Sequence, residues 1–104
     1  DIIKSAGFKI SALEVERELL EHENIAEVAV VGLPSEEFGQ LVGAMIVLED
    51  PSKPVSGKDL FEWSAARIAR FKIPRVWKYE EKIPRNDMGK IVKKEVVKMM
   101  IRDL

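Results

Sequence analysis

One lysine near the end of this chain stands where a loop could present it to an anionic ligand. Lys90 directly follows Gly89 in a segment, Ile83–Lys94, that reads IPRNDMGKIVKK. Pro84 fixes a backbone angle, and most residues between it and the lysine are types that tolerate turn geometry. A positioned ammonium carries three donors and suits negative charge developing on a phosphate or carboxylate. Turn chemistry also allows a simpler interpretation, a hairpin turn with a solvated lysine at its tip.

The first residues of the chain predict a hairpin followed by a helix. Residues 1–4 and 8–10 are expected to be short extended segments, with Gly7 as the turn residue between them. Ser11 is followed three residues later by a glutamate, which is the pattern of a capping box. The apolar spacing after it predicts a helix over residues 11–22.

Two apolar, β-branched segments predict the centre of a sheet. Residues 25–33 and 40–49 are expected to be strands, and Pro34 is expected to end the first of them. Their connector is short and polar, so the two strands should be antiparallel neighbours. Because both segments are almost continuously apolar, we expect the sheet to be buried on both faces, or at least to be a covered sheet.

The second half of the chain predicts two more helices and a third strand. Residues 50–57 are rich in proline, serine and glycine and should form a loop before a helix over residues 58–71. Residues 76–80 alternate as a strand does, and residues 93–104 have the pattern of an amphipathic helix. Its buried side is predicted to comprise Val96, Val97, Met100 and Leu104. The element order predicts an α+β, two-layer domain with a central three-stranded sheet, flanking helices and a short N-terminal hairpin.

Several residue types restrict the chemistry of the chain. It has no cysteine and one histidine, which excludes thiolate chemistry and leaves no basis for a metal site. His22 is expected to be a cation or cap at the end of the first helix, and Trp63 is expected to pack in the core. No apolar segment approaches the about 20 residues that span a bilayer.

Length and charge indicate one small globular domain. The 104 residues are 46% hydrophobic and 34% charged, with a net charge of −1. Residues 1–50 carry three basic and eleven acidic side chains, a net −8, so the remainder carries +7. The basic half, with interleaved aromatic residues, could belong to a nucleic-acid-binding module, but the acidic half opposes that field. A bipolar docking domain, a protein-interaction domain without chemistry and plain solvated helix faces all remain compatible with this pattern.

Three segments together resemble the adenylate-forming superfamily, which contains the acyl-CoA synthetases, the adenylation domains of peptide synthetases and the beetle luciferases. Pro84–Ile91 resembles the last core motif of that superfamily. Asp1–Ile10, with Glu14–Glu16, resembles the motif that follows its hinge. Val30–Pro34 and the pair Gly39-Gln40 resemble the sequence usually found between them. Their order and spacing cover nearly the whole chain.

The resemblance implies that residues 1–104 are the mobile C-terminal lid of an acid–CoA ligase, and that an N-terminal domain outside this sequence binds ATP and the acyl group. It assigns Lys90 to formation of the acyl-adenylate. It assigns Gly7 to close approach of the pantetheine thiol, and it matches Lys4 and Lys9 to residues that contribute to catalysis in some members. Lys9 stands where glutamine is common, and Ala6 stands where many members have glycine.

The same resemblance implies the substrates and partners of the full-length enzyme. These would be a carboxylic acid, ATP, CoA and Mg²⁺, with none of them expected on this domain alone and no nucleic acid involved. Ser11–Glu16 and Glu81–Ile91 are most similar to malonyl-CoA synthetases. The sequence begins on Asp1 without a methionine or a signal-like segment, so we expect a fragment of a longer protein. The sequence does not indicate the compartment beyond an intracellular one, cytoplasmic or mitochondrial.

Overall fold

The computed structural model describes residues 1–103 and confirms the α+β class predicted from the sequence. Its described part contains a hairpin, a three-stranded sheet, three α-helices and one 3₁₀ turn. In chain order these elements are β1 (Ile2–Ser5), β2 (Phe8–Ser11), α1 (Ala12–Leu19), β3 (Ile25–Ser35), β4 (Gly39–Leu48), α2 (Gly57–Ala65), a 3₁₀ helix (Arg70–Lys72), β5 (Val76–Tyr79) and α3 (Lys93–Arg102).

The sheet has the strand order β3-β4-β5. Strands β3 and β4 are antiparallel, as predicted, and β5 runs parallel to β4. The prediction that Pro34 ends β3 is wrong, because the strand continues to Ser35 and Pro34 lies opposite Gln40. Since β3 is an edge strand of this sheet, a proline without an N–H can be accommodated there.

Apolar side chains pack on both faces of the sheet, as the continuous apolar strands indicated. On one face the core joins the hairpin, α1 and α2 to the sheet through Ile3, Ile10, Val15, Leu19, Val28, Val30, Ala44, Ile46 and Leu60. On the other face α3 supplies Val96 and Met100, which pack with Val31, Leu33, Met45 and Ile83. The flanking helices are therefore divided between the two faces of the sheet.

Helix α1 begins where the sequence predicts. The N–H of Glu14 donates to Ser11 Oγ at 3.2 Å, which confirms the cap. The Glu14 carboxylate does not complete the reciprocal capping bond but pairs with Lys72 Nζ at 3.0 Å. The helix ends at Leu19, three residues before the predicted end.

The ring residues His22 and Trp63 are structural. His22 follows α1 and its Nδ1 accepts the N–H of Asn24 at 3.0 Å, so the ring stabilises the turn as a hydrogen-bond acceptor. The His22 and Trp63 rings pack at an interplanar angle of 64°, with the centroids 5.0 Å apart. Trp63 packs against the core on the α1 and α2 face, as predicted.

The second helix is shorter than the predicted range of residues 58–71. It ends at Ala65, and a 3₁₀ turn follows only after a break. Ser64 Oγ donates to the Leu60 carbonyl at 2.7 Å within the last turn. Ala69 is extended, with φ −61° and ψ 142°, and this turns the chain so that Ile73 and Pro74 become buried. Burial of these residues outweighs the helix propensity of the alanine-rich segment.

Helix α3 begins at Lys93, as predicted, and its end is fixed to β5. Val96 and Met100 are buried, Val97 is half-buried, and Leu104 lies outside the described residues. Lys78 Nζ pairs with Asp103 and, at 2.9 Å, with Glu80. Hydrogen bonds to Asp103 and Glu80 raise the pKa of Lys78, and the same ammonium lowers the pKa of Asp103.

Within residues 1–103, none of the helices combines the length and the apolar character needed to cross a bilayer.

Candidate functional site

The loop that carries Lys90 is built on the side chain of Asn86. Arg85 and Ile91 form an antiparallel bridge at its base. The N–H of Asn86 donates to the Lys90 carbonyl at 2.9 Å, which closes the loop. Asn86 Oδ1 then accepts the N–H of Met88 at 2.9 Å and that of Lys90 at 3.0 Å. Four backbone groups are thus fixed from inside the loop, as the turn-forming residues predicted.

Gly89 gives the loop its turn and leaves the space above it open. Its φ is +82°, a conformation that residues with a Cβ rarely adopt. Apart from Gly89 itself and its two chain neighbours, no atom of the described residues lies within 4 Å of the position that a Cβ would take. The glycine is therefore required by the backbone conformation, while its outer side remains accessible to a group from another molecule or domain.

The Lys90 side chain is exposed, and its ammonium has no hydrogen bond or ion pair with any of residues 1–103. The backbone of Lys90 is held by hydrogen bonds, while the charge of its side chain is not compensated. The geometry is that of a positioned cation that still has all three donors available. A solvated lysine at the tip of a hairpin would have the same geometry. Which of the two roles Lys90 has therefore depends on the surface that this loop contacts.

The hairpin turn is a two-residue turn in which both residues have positive φ. Ser5 and Phe8 form the last pair of the β1–β2 register, with Ala6 at φ 50° and Gly7 at φ 86° between them. This combination corresponds to a type I′ turn, the form that suits strand twist. The N–H of Ala6 donates to the Phe38 carbonyl at 2.8 Å, which fixes the turn to the β3–β4 connection.

Gly7 resembles Gly89 in its surroundings. Apart from Gly7 itself and its two chain neighbours, no described atom lies within 4 Å of the position that its Cβ would take. The turn therefore presents bare backbone on its outer side, as close approach of a thiol-bearing arm would require.

Lys4 and Lys9 lie directly opposite each other on β1 and β2. Both side chains are exposed, and neither ammonium is paired with another group among the described residues. Like charges in directly opposed positions destabilise a strand pair. The outer face of the hairpin is thus a paired cationic surface that an anionic ligand would stabilise.

The structure does not bring Lys90 together with Lys4, Gly7 and Lys9. The Lys90 loop is attached to β3 at Glu27, through Arg85. The hairpin is attached where β4 begins, because the N–H of Lys4 donates to Gln40 Oε1 at 2.8 Å. Gln40 lies opposite Pro34, seven residues from Glu27 along β3. At the rise of a strand this places the two attachment points about 23 Å apart.

Lys93, which no motif of the sequence indicates, connects the region of the Lys90 loop with that of the hairpin. Its Nζ contacts Asp1 Oδ2 at 2.7 Å, Glu16 Oε2 at 2.7 Å and the Val30 carbonyl at 2.8 Å. All three donors are used, so the start of α3 is joined to α1, to β3 and to the residue before β1. The contacts of Lys93 therefore join the segment that follows the Lys90 loop to the residue that precedes the hairpin.

The described residues offer no group of metal ligands at the candidate site, and a surface groove lies away from it. Within residues 1–103 no three side chains of His, Cys, Asp or Glu are grouped closely enough to hold a metal ion. A surface groove of about 720 Å³ lies at Val47, Leu48, Pro51 and Tyr79–Lys82, and neither Lys90 nor the hairpin lines it. The candidate site consists of two exposed surfaces.

Comparison with known proteins identifies the family. The family model described as AMP-binding enzyme C-terminal domain matches residues 14–90, a range that ends on Lys90. A mitochondrial malonate–CoA ligase of Mus musculus is 45% identical over 100 residues, covering 96% of this chain and 17% of that protein. A CoA ligase of Gibberella moniliformis is 49% identical over 105 residues, covering 100% of this chain and 18% of its own length.

Comparison with solved structures gives the same result as comparison with sequences. A fatty acyl CoA synthetase of Mycobacterium tuberculosis has a TM-score of 0.89 at 33% identity, over 99% of this chain and 20% of that one. Apo MatB from Rhodopseudomonas palustris has a TM-score of 0.89 at 28% identity, over 95% and 20%. The chain thus spans about one fifth of the length of the proteins it matches. It belongs to the AMP-binding enzyme C-terminal domain family, as its motifs predicted.

Proposed function

We propose that this chain is the mobile C-terminal domain of an AMP-forming acid–CoA ligase, and that it uses two different surfaces for the two half-reactions. The names and lengths of its relatives support the ligase assignment. The observation that carries the two-surface assignment is that the Lys90 loop attaches to β3 at Glu27 while the hairpin attaches to the start of β4 at Gln40, about 23 Å away along the strand. One small reaction centre cannot contact both elements at once.

In the first half-reaction a carboxylate attacks the α-phosphorus of ATP, and pyrophosphate leaves. Both reacting groups are anionic, so positioning and electrostatic stabilisation supply most of the catalysis. The Lys90 ammonium can donate to oxygens of both groups, which orients them and offsets their repulsion. Because Asn86 already fixes the loop backbone, little reorganisation is needed when charge develops.

In the second half-reaction a CoA thiol attacks the acyl-adenylate and AMP leaves. The bare backbone at Gly7 would allow the pantetheine arm to approach closely. Lys4 and Lys9 form the charged face of the same hairpin and would attract anionic groups of CoA. The uncompensated charges of Lys4 and Lys9 and the open space at Gly7 both suit this role.

The change from one half-reaction to the other then requires a rotation of this domain against the larger N-terminal domain. The contacts of Lys93 with Asp1, Glu16 and Val30 favour movement of the domain as one body. The hairpin would enter the reaction centre as the Lys90 loop leaves it.

The chemistry of the full-length enzyme would involve ATP, CoA and Mg²⁺. Lys90 and the hairpin suit phosphate and CoA, but residues 1–103 offer no group of metal-ligating side chains. We therefore assign no step on this domain to Mg²⁺. Malonate is the proposed acid because several relatives are named malonate–CoA ligases, although the acid would be selected outside this domain. The cytoplasm or the mitochondrion would supply ATP and CoA.

The isolated 104-residue chain is expected to fold but to release no AMP. Two packed cores and a capped first helix should give a cooperative unfolding transition in urea. The acyl and adenine sites are proposed to lie elsewhere, so acid-dependent release of AMP should stay at the level of a no-enzyme control. The full-length enzyme, assayed in parallel, provides the positive control. Acid-dependent AMP release by the purified domain would contradict the assignment.

A further inference from the structure

The loop that carries Lys90 is also held by a residue from a distant part of the sequence. Arg85 Nη1 donates to the Gly89 carbonyl at 2.7 Å, and Arg85 Nη2 donates to Glu27 Oε1 at 2.6 Å. The Gly89 carbonyl belongs to the peptide bond that immediately precedes Lys90. A guanidinium is a planar fork, so a partner on one nitrogen restricts where the other nitrogen points.

Glu27 reaches this position from an irregular part of β3. The register between β3 and β4 shifts between Ile25 and Glu27, which is a bulge or an equivalent irregularity. Bulges change the direction of a side chain and occur preferentially beside functional sites. Glu27 is 58 residues from Arg85 in sequence and in no motif, so its contact with the loop is visible only in the folded chain.

We propose that Glu27 is a positioning residue for formation of the acyl-adenylate. It holds the Arg85 guanidinium against the Gly89 carbonyl, and this contact fixes the peptide plane from which Lys90 projects. Asn86 fixes the same plane from the inner side, through the N–H of Lys90. Without Glu27, Arg85 would lose the partner that orients it, and the Lys90 ammonium would sample a wider range of positions. This inference rests on the proposed role of Lys90.

Glu27→Ala in the full-length enzyme tests the proposal, with Glu18→Ala as a matched control. Glu18 also pairs with an arginine, Arg67, at 3.0 Å, and the two glutamate side chains are equally exposed at 37%. Only the Glu27 pair contacts the Lys90 loop. We expect Glu27→Ala to slow adenylation about tenfold, less than the about 10²-fold that a misplacement of 1 Å can cost. Thioester formation from supplied acyl-adenylate, and both rates of Glu18→Ala, should change less than about twofold.

A charge-reversed pair separates positioning from simple ion pairing. Glu27→Arg combined with Arg85→Glu keeps opposite charges together, but a carboxylate at position 85 has no N–H to donate to the Gly89 carbonyl. We expect the double variant to melt near the wild-type temperature while adenylation stays slow. Recovery of adenylation in the double variant would overturn the positioning role.

The proposal also fails if Glu27→Ala and Glu18→Ala behave alike while Lys90→Ala still abolishes most adenylation. That outcome would leave the role of Lys90 intact. By contrast, a Lys90→Ala enzyme with normal adenylation would overturn the proposed function on which this inference depends.

Discussion

Lys90→Ala in the full-length ligase is expected to lower the rate of acyl-adenylate formation by at least about 10²-fold, the scale seen when one preorganised electrostatic group is removed. The loop backbone around Lys90 is fixed by four hydrogen-bonded groups, while the ammonium is unpaired among the described residues. Its full charge is therefore available where carboxylate and phosphate oxygens meet. We expect a large effect because the proposed reaction centre is water-poor, and an oriented charge acts more strongly there than in water.

Loss of the Lys90 side chain should leave folding and the second half-reaction largely unchanged. The side chain is exposed and makes no polar contact within residues 1–103, so the melting temperature should shift little. Lys94→Ala, which removes another exposed lysine four residues away, is the matched control and should retain adenylation. Normal adenylation by Lys90→Ala would show that Lys90 is only a solvated lysine in a surface turn.

Gly7→Trp is expected to slow thioester formation much more than adenylation. The position of a Cβ at Gly7 is free of described atoms within 4 Å, so a large side chain would project outward from the hairpin. It would occupy the surface proposed to receive the pantetheine arm. Adenylation should be spared, because the Lys90 loop is attached to the far end of β3.

Backbone strain at Gly7 needs a control of its own. The φ of +86° is unfavourable for any residue with a Cβ, at a cost of about 1–2 kcal/mol. Gly7→Ala carries that strain without the bulk, and the neighbouring Ala6 already occupies φ 50°. Thioester formation should therefore be faster in Gly7→Ala than in Gly7→Trp. Equal losses in the two variants would show that the turn conformation, and not access, is what matters.

The features that could be predicted from the sequence are those with local causes. The hairpin turn at Gly7, the cap at Ser11 and the loop before Lys90 each depend on residues within a few positions of one another. The two apolar strands could also be predicted, because their continuous apolar character demands cover on both faces.

The features that could not be predicted depend on contacts between distant segments. Helix α2 ends at Ala65 because Ile73 and Pro74 enter the core, a tertiary effect that overrides alanine's helix propensity. Pro34 stays within β3 because that strand lies at the sheet edge.

The candidate site also contains features that depend on contacts between distant segments and could not be predicted from the sequence. Family motifs indicated Lys90, Lys4, Gly7 and Lys9, and the structure shows the turns and the exposure that their proposed roles need. No motif indicated Glu27 or Lys93, since their partners lie 58 and up to 92 residues away. The separation of the two surfaces along β3 also becomes visible only once the strands are paired.

The most direct test of the two-surface account is one set of rates: both half-reactions measured in parallel for Lys90→Ala and Gly7→Trp in the full-length enzyme. Adenylation is followed by acid-dependent pyrophosphate release, and thioester formation by AMP release from supplied acyl-adenylate and CoA. We expect opposite patterns, with Lys90→Ala losing adenylation and Gly7→Trp losing thioester formation. Equal loss of both half-reactions in each variant would contradict the assignment of the two surfaces to separate steps.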